Sequence, residues 1–132
     1  MNYSVRLDGK VAIVTGGSRG LGAAMSRGLA RSGAQVVVAR RDLARCEALA
    51  AEIRSARGEA RALRADAADT GSLDALLDAT YQAYGRLDIL VNNAGINVGF
   101  RPLSELTTDD FDRMYAVNLR GPWRSWARSS TS

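Results

Sequence analysis

Three short segments each hold an unbroken apolar run: "VAIVT" (11–15), "QVVVAR" (35–40) and "DILVNN" (88–93). A strand with one wet face alternates apolar and polar residues. A run that is apolar throughout reads instead as a strand covered on both faces, as in parallel sheets. "EARALRAD" (59–66) is weaker, and its assignment as a strand rests on its place in the rhythm. Between these runs lie amphipathic stretches of helical length, at about 20–32, 42–57, 70–84 and 107–120. Glycines at 33, 58 and 85 close the first three, where a left-handed cap residue belongs. Asp42, Thr70 and Thr107 or Thr108 stand at N-cap positions. The resulting order, βαβαβαβα, predicts an α/β fold with a parallel sheet and helices on both faces. Right-handed crossovers then give a doubly wound arrangement. No internal repeat or low-complexity linker interrupts the pattern.

Composition narrows the chemistry. At 132 residues, 46% of them apolar and 24% charged, the chain is one domain or part of one. No run approaches the ~18 apolar residues of a membrane span. The opening "MNYSVRLDGK" has no apolar core, so no secretory signal is expected and the expected setting is cytoplasmic. Cys46, the single cysteine, forms no internal disulfide and reads as a helix residue within "LARCEALAAEI"; a reactive thiol is the alternative. The net charge is +4, carried by arginines with Lys10 as the one lysine. No aromatic residues interleave with those arginines, so nucleic-acid binding is not expected. There is no histidine, which removes imidazole acid–base chemistry and, with one cysteine, a zinc site. No metal is expected.

Three segments carry candidate chemistry. "TGGSRGLG" (15–22) follows the first strand and opens the first helix, with Gly16, Gly17, Ser18, Arg19, Gly20, Leu21 and Gly22 as candidate binding residues. Free N–H groups and the positive end of the dipole attract a phosphate to a helix mouth, and glycines clear its approach. The spacing is G-x-x-x-G-x-G, and no Gly-Lys-Ser/Thr follows, against a P-loop. A glycine-rich turn with no ligand is the alternative. "NNAG" (92–95) ends the fourth strand beside the switch point of an open sheet, where ligands sit; a plain polar turn is the alternative. Asp66, in "RADAAD", offers either a carboxylate to an adenine amino group or a cap to the next helix.

Taken together, "TGGSRGLG", "RADAAD", "DILVNNAG" and "YAVNLRGPW" resemble the N-terminal half of the short-chain dehydrogenase/reductases (SDR). The resemblance covers roughly residues 7 to 123, with each motif in the family's order. It implies a Rossmann-like fold and a nicotinamide dinucleotide site. Gly16 to Gly22 would lie under the pyrophosphate, Asp66 and Ala67 against the adenine, and Asn93, Ala94 and Gly95 against the adjacent ribose. In this fold the end of the second strand meets the adenosine ribose, where an acid favours a free 2′-hydroxyl and a cation the 2′-phosphate. Arg40 and Arg41 stand there, and Arg19 is within reach of the same phosphate. Arginine pairs with phosphate oxygens in a two-pronged way. Asp42 has the spacing of an NAD-selecting acid but is read as the cap of the following helix. NADP is therefore expected rather than NAD.

The implied reaction is hydride transfer between the nicotinamide and a carbonyl or alcohol carbon of a small-molecule substrate. The family uses a tyrosine and a lysine four residues later, the lysine lowering the tyrosine's pKa. This sequence has no Tyr-x-x-x-Lys: Tyr81 leads to Gly85, Tyr84 to Asp88 and Tyr115 to Leu119. Asn118 matches the family's catalytic asparagine, or packs within a helix. After Trp123 comes "RSWARSSTS" rather than a fifth apolar strand. The expected organisation is thus a cofactor-binding half at 1–123, truncated after about four strands, with an atypical tail at 124–132. Such a half is expected to be marginally stable or prone to associate. Phe111, Met114, Trp123 and Trp126 near the last predicted helix form a candidate association face. In the family the corresponding helix region takes part in dimer contacts, so a homo-oligomer is an open expectation; the alternative is that these residues cover the second half of the core. A dinucleotide-binding fragment without chemistry and a non-functional product are the alternatives to an enzyme.

Overall fold

The computed structural model describes residues 6–16, 20–93, 107–109, 112 and 116–117. Strands β1 (Val11–Thr15), β2 (Gln35–Arg40), β3 (Glu59–Arg64) and β4 (Ile89–Asn92) alternate with helices α1 (Gly20–Arg31), α2 (Leu43–Ser55) and α3 (Thr70–Tyr84). All pairings are parallel and the order is β3-β2-β1-β4. The strand sequence runs outward from β1 to β3 and then reverses to β4, which is the doubly wound arrangement the alternation predicts.

Burial follows from position in the sheet. Every residue of β1 is buried, and so are the four central residues of β2. Their side chains alternate between two layers. Val14, Val36 and Val38 pack with Ala23 of α1 and Leu49 and Ile53 of α2. Ile13, Val37 and Ala39 pack on the other face with Leu76 and Leu77 of α3. β3, an edge strand, exposes Glu59, Arg61 and Arg64, which is why its apolar signal was faint. β4 has β1 on one side and is half-buried. Cys46 is a fully buried core residue, and burial pushes its thiol up from the ordinary value, against a reactive thiol at this position.

Two caps differ from the sequence reading. Asp69, not Thr70, is the N-cap of α3: its Oδ1 accepts from the N–H groups of Gly71 at 2.9 Å and Ser72 at 3.3 Å. A carboxylate outcompetes the adjacent hydroxyl for those first-turn donors. Gly58 is not the left-handed residue after α2; Arg57 is, with φ of +69°. Gly58 is needed for closeness instead, since a Cβ there would lie 2.7 Å from Ile53 Cγ2. Gly33 and Gly85 do take positive φ, as expected.

At the amino-terminal end of the sheet, Asp88 fastens β4 to β1. Its Oδ2 accepts from the N–H of Val11 at 2.9 Å, and its own N–H donates to Val11 O at 2.9 Å. Arg86 donates to both carboxylate oxygens at 2.8 Å. The Arg86 guanidinium and then the Val11 N–H hold the Asp88 carboxyl down at about 2.

Of the predicted helix at 107–120, Thr108, Asp109 and Asp112 are helical, and Ala116 and Val117 form a buried helical turn. The proposed boundary at 123, the tail, and the association surface at Phe111 and Met114 lie outside the described residues.

Candidate functional site

In a parallel sheet every strand ends on the same rim. Here that rim is formed by Thr15, Arg40, Arg64 and Asn92 and the chain that leaves each of them. Hydrogen bonds lace the departing segments together. Gly16 turns with φ of +67°, a conformation that glycine adopts without steric cost, and its N–H donates to Ala39 O of β2 at 2.7 Å. Ala65, just past β3, donates to Arg40 O at 3.0 Å. Asn93, just past β4, donates its backbone N–H to Thr15 Oγ1 at 3.2 Å and its side-chain Nδ2 to Gly16 O at 3.3 Å. Thr15 Oγ1 in turn donates to Val91 O at 3.2 Å. Thr15 is 4% exposed, so the hydroxyl joins β1 and β4 from inside the sheet.

α1 opens directly off this rim. Gly20 begins it at φ of +59°, which again suits glycine. Gly22 is buried, so the helix start sits close against the sheet, and no acidic side chain occupies the first turn. The other two helices have their first-turn donors taken by Asp42 and Asp69. A helix start with a small, uncharged first turn is suited to receive an anion from outside. Leu21 is 69% exposed beside it.

The end of β2 is cationic. Arg40 is half-buried and Arg41 exposed. Asp42 is turned away into α2: Oδ1 accepts from the N–H of Arg45 at 3.3 Å, and Oδ2 lies 3.1 Å from Arg45 Nε. The expected cap is therefore present, and the acid that follows the strand end in the chain is committed to it. Arg41 Nε lies 3.9 Å from Asp66 Oδ2, bringing the rims of β2 and β3 together.

Asp66 does not cap α3. Its Oδ1 accepts from Ala68 N–H at 2.9 Å, and its own N–H donates to Ser72 Oγ at 2.9 Å. It shapes the turn that holds the half-buried Ala67, with its second oxygen toward Arg41. Gly16, Gly20, Leu21, Gly22, Arg40, Arg41, Asp66, Ala67 and Asn93 thus all lie along one rim or the helix mouth beside it. Gly17, Ser18, Arg19, Ala94, Gly95 and Asn118 lie outside the described residues. Sequence reasoning missed Thr15 and Ser72. A threonine ending an otherwise aliphatic run was the signal for the first; the second had none, because its partner is a backbone N–H six residues earlier.

The family model described as short chain dehydrogenase matches residues 10–128. D-threitol dehydrogenase from Mycolicibacterium smegmatis is 41% identical over 121 residues, covering 92% of this chain and 46% of that protein. Galactitol 2-dehydrogenase from Agrobacterium fabrum is 38% identical over 118 residues, covering 89% of this chain and 44% of that protein. Among solved structures, a metagenomic short-chain oxidoreductase in complex with NADP superposes with a TM-score of 0.92 at 38% identity, covering 95% of this chain and 57% of that one. A short-chain dehydrogenase from Burkholderia cenocepacia in complex with NADP gives 0.89 at 41% identity, covering 96% of this chain and 51% of that one. The chain spans about half the length of the curated relatives it matches. The strand order, the glycine-lined helix mouth and a match over most of the sequence agree: the chain belongs to the short-chain dehydrogenase family.

Proposed function

We propose that these residues form the dinucleotide-binding half of an NADP-dependent oxidoreductase acting on a carbonyl or alcohol carbon of a small molecule. The observation that carries the choice of cofactor is the end of β2, where Arg40 and Arg41 stand and Asp42 is engaged by Arg45. A strand end with two guanidinium groups and no free acid fits a 2′-phosphate better than a bare ribose. The NADP complexes among the solved relatives support the same reading.

In this reading the segment from Gly16 to Gly22, with Gly17, Ser18 and Arg19, receives the pyrophosphate at the mouth of α1. Arg40 and Arg41 take the 2′-phosphate, Asp66 and Ala67 border the adenine, and Asn93 to Gly95 border the ribose. When bound, the nicotinamide supplies a hydride donor or acceptor. The chain's own part is binding and orientation: Asn93 and Thr15 hold the glycine turn in register with β4. No Tyr-x-x-x-Lys pair lies within the 132 residues, and Asn118 alone moves no proton. Of this chain by itself we expect binding without turnover. A cytoplasmic setting belongs to the reading, supported by the free, buried thiol of Cys46.

The test is a fluorescence titration of the chain with NADPH and with NADH, repeated on the double variant Arg40→Ala, Arg41→Ala. We expect tighter binding of NADPH and its selective loss in the variant. Equal affinities before and after the change would overturn the cofactor assignment.

A further inference from the structure

At the end of the sheet opposite the helix mouth, a cavity of about 760 Å³ opens between the C-terminal part of α1 and the turn joining α2 to β3. That is within the ~300–1,000 Å³ typical of small-molecule sites. Its floor is apolar: Ala30, Ala34 and Ile53 line it and are each at most 9% exposed. Its walls are charged, with four arginines against three carboxylates, Asp8, Glu52 and Glu59. Most of that charge is already matched. Arg6 pairs with Asp8 at 2.7 Å and Arg27 with Glu52 at 2.5 Å. Glu59 accepts from the neutral Gln35 amide at 2.6 Å. Arg31 and Arg57 remain, and neither guanidinium has a partner among the described residues. They come from different walls, the last residue of α1 and the turn after α2.

The backbone is shaped closely at the same place. Gly33 and Gly58 both line the cavity and both sit where a Cβ would collide, with Asp8 Oδ1 at 2.1 Å and Ile53 Cγ2 at 2.7 Å. Arg57 is the one described non-glycine residue with positive φ, +69°. A left-handed arginine at a turn where glycine or asparagine would be at ease is a strained choice, and such choices gather at functional positions.

We propose that this cavity is a second ligand site, separate from the dinucleotide rim, for a small organic carboxylate with an apolar body. Arg31 and Arg57 take the carboxylate, and the floor of Ala30, Ala34 and Ile53 takes the apolar part. The net excess of one positive charge sets the sign of the ligand, and Glu59 at the rim limits it to a single negative charge.

The probe is octanoate, titrated into the intact chain by calorimetry, with octanol and inorganic phosphate as comparisons. Octanoate should saturate one site, octanol should bind at least tenfold more weakly, and phosphate should fail to displace it. Arg57→Gly is the decisive variant, because it removes the guanidinium and relieves the left-handed backbone together. It should melt at or above the parent temperature yet bind octanoate about tenfold more weakly, the loss of one charge-assisted hydrogen bond. Arg31→Gln should weaken binding similarly, while Arg40→Ala at the opposite rim should leave it unchanged. If octanoate binds no better than octanol, or binds Arg57→Gly and Arg31→Gln as tightly as the parent, the site does not exist.

Discussion

The side-chain amide of Asn93 donates to the carbonyl of Gly16 across 3.3 Å, joining residues 77 apart in the chain. The same residue's backbone N–H reaches Thr15 Oγ1. A turn that must hold a fixed shape for a phosphate is thereby tied to the neighbouring strand rather than left to its own glycines.

Asn93→Ala should lower stability by about 1 kcal/mol, the net worth of one hydrogen bond. It should weaken NADPH binding by more than that loss of stability alone explains. Urea melts and NADPH titrations on the same samples check both parts. Asn93→Asp should do more harm, since a carboxylate oxygen cannot donate to the Gly16 carbonyl.

Asp42→Ala separates a helix cap from a ribose ligand. Loss of the cap on α2 should cost about 1 kcal/mol. The preference for NADPH over NADH should stay unchanged or rise. A selective loss of NADH binding in this variant would reassign Asp42 to the ribose.

Asp88 makes the fold acid-sensitive in a defined window. Its carboxyl titrates at about 2 in the folded chain against an ordinary 3.8. A lowered folded value means stability that is in place above the ordinary value and is lost as pH falls from about 4 toward about 2. Arg86→Ala should raise the Asp88 value and move the acid transition upward. Asp88→Ala should lower stability at pH 7 and flatten its dependence between pH 4 and pH 2. Because Arg86 is half-exposed, added salt should shrink the effect of removing it.

Two glycines should respond in opposite directions to the same substitution. Gly28 is within α1, and a Cβ there meets nothing within 4 Å. Gly28→Ala should stabilise by roughly 0.5–1 kcal/mol through helix propensity. Gly33 has φ of +105°, and its Cβ would press on the Asp8 carboxylate. Gly33→Ala should destabilise by about 1–2 kcal/mol and loosen the Arg6–Asp8 pair. Thermal melts of both variants check this.

What could be read from the sequence followed how far each signal reaches along the chain. β1 and β2 announced themselves because their central residues are buried on both faces, and a buried parallel strand has little but apolar side chains to show. β3 did not, because an edge position lets Arg61 and Arg64 face water. The Asp42 cap was legible from the residue type and the helix it precedes. Asp69 was misread in favour of Thr70, since both residues suit the position and local geometry decides. Arg57 was passed over for Gly58 because propensity places glycine in the left-handed region, whereas here glycine serves contact with Ile53 instead. The ties of Asn93 to Gly16 and of Asp88 to Val11 cross 77 residues, and no local pattern encodes such a pairing.

β1 sits between β2, which follows it closely in the chain, and β4, which arrives only after two more helices have been made. On a ribosome the first pair can therefore join early, while the other flank of β1 waits until β4, ending at Asn92, has emerged. Closing so long a loop is entropically slow compared with local pairing. Until then a strand aliphatic at four of its five positions stands with one row of backbone donors and acceptors bare, open to pairing with another chain.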